Sequence, residues 1–386
     1  MKDQEPKIDA HYYEKIAQVL DDELALHHAL GPINYQREKK KFLSSSNGCP
    51  IFKYQTITDK NYKYNLDLLK DLENDLRFEL NSDLKQLYLA KIEEMREELE
   101  FRAVIGRDAK IFHRKSVWLF GMINSDDYQE AKRRYKRRKK EEKEEKNFLD
   151  AEKIKDVFNR ALLEFKISGW EAMIEPKAFY ITINDRNPHG HKIEIPPAWR
   201  ETPARLEEIL EHEIVTHLCR RRSGELSKLA LLGHPGADKS HQTDEGLAIY
   251  GEKQAPLSSG KTSLKHITKE IAMGAAMEGR NFRKTHNFLL DLGLSPKAAW
   301  YKTFRVFRGV ANTSKGDGFI CTLDSVYRLG EKEINNFVKE KGDSALDRLW
   351  VGKIGIKHLP IMKKLGITEP AIKRRYLKIE DLMPKL

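Results

Sequence analysis

At 386 residues, with 40% hydrophobic and 33% charged side chains, the chain is long enough for a large core and for two or three domains. That balance excludes a wholly disordered polymer, and no apolar run approaches the length of a membrane span. The formal net charge of +11 points to anionic partners such as nucleic acid, acidic polypeptide or phosphate. The opening stretch MKDQEPKIDAHYYEK is charged and lacks an apolar core, which argues against a secretory signal. Cys49, Cys219 and Cys321 are sparse, odd in number and form no C-x-x-C pair. They predict a reducing, cytoplasmic setting and argue against a disulfide framework or a cysteine-rich zinc site.

In chain order, apolar residues recur at helical spacing over 11–30, 61–80 and 82–106, with SSSNGCP (44–50) as a loop. The run AKRRYKRRKKEEKEEKN (131–147) holds ten Lys/Arg and four Glu. A solvated helix or linker with Glu/Lys pairing is the simplest reading. Docking of an acidic partner is the alternative. Nucleic acid is disfavoured, because Tyr135 is the run's one aromatic and cannot make a stacking platform alone. Residues 1–148 are therefore read as a mostly helical N-terminal region and 149–386 as a second, catalytic domain. From Asp150 a helix (150–165) leads to SGW, a strand (178–184), a turn (185–190) and a second strand (191–197). A helix over 202–224 opens on Thr-Pro and closes on Ser-Gly. Further helices are expected at 244–254, 264–292, 295–304, 331–345, 355–365 and 369–380.

The helix over 202–224 carries His212-Glu213-Ile214-Val215-Thr216-His217, an H-E-x-x-x-H pattern one residue longer than the common zinc-peptidase H-E-x-x-H. Residues five apart on a regular α-helix point about 140° away from each other. The two histidines can share an ion only if a π-type turn absorbs the extra residue. Thr216 favours such a turn, since its hydroxyl can bond an upstream carbonyl. Taken alone, the hexapeptide fits equally well two unrelated histidines on a charged helix. Its chemistry tips the balance: a glutamate beside the first ligand can serve as general base, and a catalytic zinc needs a third protein ligand. Glu245, in TDEGLAIY on a following helix, supplies that ligand. His234 and His241 in the preceding loop are weaker alternatives.

HEIVTH, DEGLA and RVFRG…GFICTLDSVYRLG together resemble the metallopeptidases that include the microtubule-associated tyrosine carboxypeptidases and their bacterial QEGLA-motif relatives. The similarity covers roughly residues 150–365, with an echo at CPIFKY (49–54). It implies Zn2+ held by His212, His217 and Glu245, with Glu213 as catalytic base. Asp244 stands where relatives often have Gln or Glu. The eukaryotic members remove a C-terminal tyrosine from tubulin, and no residue here singles tubulin out.

A carboxypeptidase must also grip a free carboxylate, a task suited to arginine. Arg220, three residues past His217, and Arg308, in the family-like FRG, are the candidates, each against a structural ion pair. Tyr327 is either an oxyanion donor or a packed core tyrosine. Asp324 is either a carboxylate that orients a histidine or a helix N-cap. The expected fold is α+β and predominantly α-helical, with the H-E-x-x-x-H helix, a second ligand helix and a small β-sheet. The expected function is a cytoplasmic zinc metallocarboxypeptidase acting on peptide or protein C-termini with aromatic ends. The alternative is a non-catalytic binding protein that engages nucleic acid or an acidic tail through 131–147.

Overall fold

The computed structural model describes residues 7–21, 26–141, 147–176, 178, 181–184, 191–260 and 262–383. The expected turn at 185–190 and most of the acidic end of the basic run lie outside these. Most of the described chain is helical, and the strands form a single small sheet, in keeping with an α+β fold. No described helix is long and apolar enough to cross a membrane.

The chain packs as two units. One comprises residues 1–9, 142–262 and 330–386, the other 10–141 and 263–329. This corrects the expected division at 148: residues 263–329 join the N-terminal helices. The reason lies in side-chain complementarity that periodicity does not reveal. The Leu264–Met277 helix buries Ile267, Ile271 and Met273 in the same core as Tyr128, Ala131 and Tyr135 of the Ser125–Glu141 helix. Gly274 has no Cβ, so the Tyr128 ring lies directly on its backbone. The basic run is thus no linker. Through Glu141 it is a helix anchored by one apolar stripe, with Tyr135 donating its hydroxyl to Leu292 O at 3.0 Å.

The same core continues round Trp300, Phe42, Phe52 and Phe282, and a second one gathers round Phe101 and Phe112. Trp300 is fully buried, and its indole N–H finds the Tyr35 hydroxyl at 2.9 Å, as a buried indole requires. The helix expected over 264–292 is two helices, Leu264–Met277 and Phe282–Asp291. Gly279 takes φ +87° between them, a conformation that ends a helix and favours glycine.

In the first unit the Ala151–Glu164 helix starts where the Asp150 side chain accepts from Lys153 N–H. It buries Ile154, Val157, Phe158, Ala161 and Leu162 along one stripe. The sheet has β1 (Trp170–Ile174), β2 (Thr182–Asn184) and β3 (His191–Ile195) in the order β1-β3-β2. The β2–β3 pair is antiparallel, matching the expected hairpin. β1 pairs parallel to β3, with Trp170 opposite His191, and was not expected. Its short alternation of buried Trp170 and Ala172 around exposed Glu171 was masked by the helix-stopping Ser-Gly before it. Asn159 covers part of β1's outer edge: its amide exchanges hydrogen bonds with Ala172 N–H (2.8 Å) and Ala172 O (3.1 Å).

The helix expected at 369–380 is mostly absent. Only Ile379–Leu382 is helical. Two buried carboxylates draw its backbone away: Leu377 N–H donates to Glu211 at 2.8 Å, and Ile379 N–H to Glu207 at 3.0 Å. Those donors then do not serve an α-ladder.

Candidate metal centre

Thr202 caps the first of the two helices that carry the centre, with Pro203 in its first turn. The path runs as α-helix through Leu210, as π-helix over Glu211–Leu218, and as α-helix again over Cys219–Leu226. The π segment is the irregularity that the H-E-x-x-x-H spacing demands. It brings the His212 and His217 rings to 4.8 Å between centroids. Ile214, Val215, Thr216 and Leu218 are buried beside them. The Trp350 indole N–H donates to Val215 O at 3.0 Å, which gives a carbonyl of the widened turn a second partner.

The Ser240–Gln254 helix lies against this segment. Gly246 lets its backbone approach that of Gly330, and Gly251 faces Glu211 and Thr216. Glu245 is thereby directed at both histidines. Its Oε2 lies 3.6 Å from His212 Nε2 and 3.9 Å from His217 Nε2. Each imidazole is held from behind by a second carboxylate. His212 Nδ1 is 2.8 Å from Glu252 Oε1, and His217 Nδ1 is 2.8 Å from Asp244 Oδ2. An ionised carboxylate only accepts, so each Nδ1 donates a proton to its carboxylate, and each Nε2 is the ring atom turned toward Glu245.

The charges follow the same plan. Burial alone would lower His217, but Asp244, Glu245 and Glu213 outweigh it and lift it to about 9. Burial pushes Glu245 up, and His217, His212 and His241 bring it below the usual carboxylate range. Glu245 Oε2 is buried and accepts no hydrogen bond. Of the carboxylates around the histidines, Asp244 is paired with Arg220, and Glu252 shares Arg205 with Glu208.

His212, His217 and Glu245 form a group able to hold a metal ion. Ligand atoms around a tetrahedral ion with bonds of about 2.0–2.1 Å stand roughly 3.4 Å apart, close to the separations from Glu245. Two imidazoles and one carboxylate, whose buried Oε2 is orphaned, fit a divalent metal. Glu213 is half-buried, and no hydrogen bond from the described protein engages it. Half-exposed His241 comes within 3.8 Å of the other Glu245 oxygen, and His234 is not among the converging atoms.

Of the remaining candidates, Arg220 meets a different arrangement. Arg220 is fully buried and cannot face a peptide. Its guanidinium donates to Leu349 O (3.0 Å), Ile354 O (2.6 Å) and the Asp244 carboxylate. It is a brace for Asp244 and not a substrate contact. Arg308, Tyr327 and Asp324 belong to the second unit. There Asp324 is clasped by Arg305 and orients no histidine. Tyr327 packs with Lys269 Nζ 3.5 Å from its ring centre and the His266 ring at 5.0 Å. Glu252 was missed, though its spacing was legible: it lies seven residues after Glu245, two turns along the same helix face.

No curated protein matches the chain at a significant level. A family model described as microtubule-associated tyrosine carboxypeptidase matches residues 40–381, which includes every residue of the centre. The family's name denotes carboxypeptidase, and so hydrolase, chemistry. With that match over nearly its whole length, the chain belongs to the microtubule-associated tyrosine carboxypeptidase family.

Proposed function

We propose that this protein is a zinc-dependent carboxypeptidase that releases a C-terminal aromatic residue, tyrosine or phenylalanine, from a peptide or protein. The observation that carries the reading is the convergence of His212 Nε2, His217 Nε2 and Glu245 Oε2, with Glu252 and Asp244 behind the imidazoles. Such carboxylate–histidine pairs fix ring orientation and tautomer in metal sites. A bound zinc ion would polarise the scissile carbonyl and make water a competent nucleophile near neutral pH.

The chain's own residues do the rest. Asp244, braced by Arg220, and Glu252 hold the two imidazoles by Nδ1 and keep both Nε2 atoms aimed at one point. Glu213 follows His212 directly, and no hydrogen bond from the described residues holds it. It accepts the proton of the attacking water and returns it to the leaving amine nitrogen. The buried walls of Ile214, Val215 and Leu218 keep bulk water from the back of the site.

The test pairs metal analysis with peptide cleavage. Purified protein should hold one equivalent of zinc, and His217→Ala should lose most of it. Glu213→Gln should keep the zinc and the fold, yet cleave free-acid peptides ending in Tyr or Phe at least about 10²-fold more slowly. Amidated versions of the same peptides should resist the wild type. Equal zinc in wild type and His217→Ala, or full activity in Glu213→Gln, would sink the reading.

A further inference from the structure

Within the second unit, residues 106–110 and 309–319 enclose a hollow of about 340 Å³, a volume in the range of small-molecule sites. Its two walls are fixed to each other. Gly106 N–H donates to Gly309 O at 2.8 Å, and Gly309 N–H donates to the Tyr54 hydroxyl at 2.8 Å. Gly309 has no Cβ, so the Phe112 ring lies directly on its backbone. The hollow is therefore formed before any ligand arrives, which spares binding the cost of ordering it.

Three cations line it from both walls, Arg107 and Lys110 from one and Lys315 from the other. All three are exposed, and among the described residues none of their side chains makes a hydrogen bond or an ion pair. Pairing is the habit close by. Further along the Lys110 helix, Lys115 lies 2.8 Å from Glu97, and Arg102 is paired with Glu98. The hollow's two acids turn to the backbone instead. Asp108 accepts from Ile111 N–H at 2.8 Å, and Asp317 from Phe319 N–H at 3.2 Å. Phe319 adds an aromatic lining residue. A phosphate group suits donors that arrive from separate directions, because it carries nearly two negative charges at neutral pH and three strong acceptor oxygens. A carboxylate is planar, singly charged and best served by a single guanidinium fork. Arginine forks and lysine point charges both serve phosphate.

We infer that this hollow is a binding site for a small phosphate-bearing molecule, with Arg107, Lys110 and Lys315 as the phosphate contacts. The phosphate is either the free inorganic ion or the phosphoryl group of an ester whose organic part rests on Phe319. The site shares no residue with the metal centre and stands without the peptidase reading.

Calorimetric titration of the full-length protein with inorganic phosphate, glycerol phosphate and AMP tests the site, at fixed ionic strength with chloride as the balancing anion. Saturable binding is expected. Arg107→Gln, Lys110→Gln and Lys315→Gln should each weaken it about tenfold. None should lower the melting temperature, because none has a partner among the described residues to lose. Arg137→Gln removes the same charge from an exposed position on the Ser125–Glu141 helix and should leave binding unchanged. His217→Ala should also bind as before, which separates the hollow from a phosphate held by metal. Equal affinity for the three probes identifies the free ion. Tighter binding of glycerol phosphate or AMP identifies an ester, and Phe319→Ala should then remove the difference. Three outcomes overturn the inference: no saturable binding, binding undiminished in all three lining variants, or an equal loss in Arg137→Gln or His217→Ala.

Discussion

Asp244 touches two partners of different kinds. One oxygen holds the His217 imidazole, and the other receives the fully buried Arg220 guanidinium. Burial raises its pKa, yet His217 and Arg220 together drive it far below the usual range. Removing it leaves Arg220 charged and unpaired in the interior, which typically costs about 3–5 kcal/mol. We therefore expect metal-free Asp244→Ala to unfold at much lower urea than the wild type. Adding Arg220→Met should recover part of the loss, because the stranded charge is gone. Additive single and double variants would mean that the two side chains are not coupled.

At the scale of elements, two glycines on the Ser240–Gln254 helix face different neighbours. A Cβ on Gly246 would run into the backbone of Gly330, which has no flexible end to give way. A Cβ on Gly251 would meet Glu211 Cβ at 3.5 Å and Thr216 Oγ1 at 3.6 Å, ordinary contact distances. Gly246→Ala should thus destabilise by about 1–3 kcal/mol through overpacking and weaken metal binding by tilting Glu245. Gly251→Ala should be neutral or stabilise by up to about 1 kcal/mol, from the lower helix propensity of glycine. Denaturation curves for the two variants decide the matter, and the same loss in both would refute the close backbone approach. The Gly of the E-G-L-A motif is therefore a packing requirement beside a chemical one.

At the scale of the molecule, the loop before the Glu245 helix is tied to a distant turn. Asp238 accepts from His358 Nε2 at 2.9 Å and from Lys357. His358 Nδ1 in turn accepts from Gly355 N–H at 2.9 Å, so the proton on Nε2 is the one that reaches Asp238. Burial pushes Asp238 up, but the hydrogen bonds from His358 and Lys357 prevail and hold it at about 2, against an ordinary 3.8. Its folded pKa is depressed, so its contribution is present above pH 3.8 and is lost as pH falls toward 2. The contribution is at most about 2 kcal/mol, and less because Lys357 is half exposed. Asp238→Asn should flatten the acid limb of stability between about pH 4 and pH 2 and leave its neutral-pH slope unchanged. An acid limb as steep as that of the wild type would show that the tie carries no linkage.

What local chemistry can specify was legible in the residues. The spacing of His212 and His217 demanded a π turn, and the structure has one over Glu211–Leu218. The Thr202 cap marked a helix start, and β-branched residues marked β2 and β3. These depend on neighbours a few positions apart, so a one-dimensional reading reaches them. Three features depend on partners more than a hundred residues distant. Arg220 became a buried brace because Leu349, Ile354 and Asp244 supplied its acceptors. Residues 369–378 gave up a helical pattern because Glu207 and Glu211 took backbone donors there and just beyond. Residues 263–329 joined the N-terminal helices because Gly274 admits Tyr128. In each case long-range competition for hydrogen bonds or space chose among options that local propensity left equal.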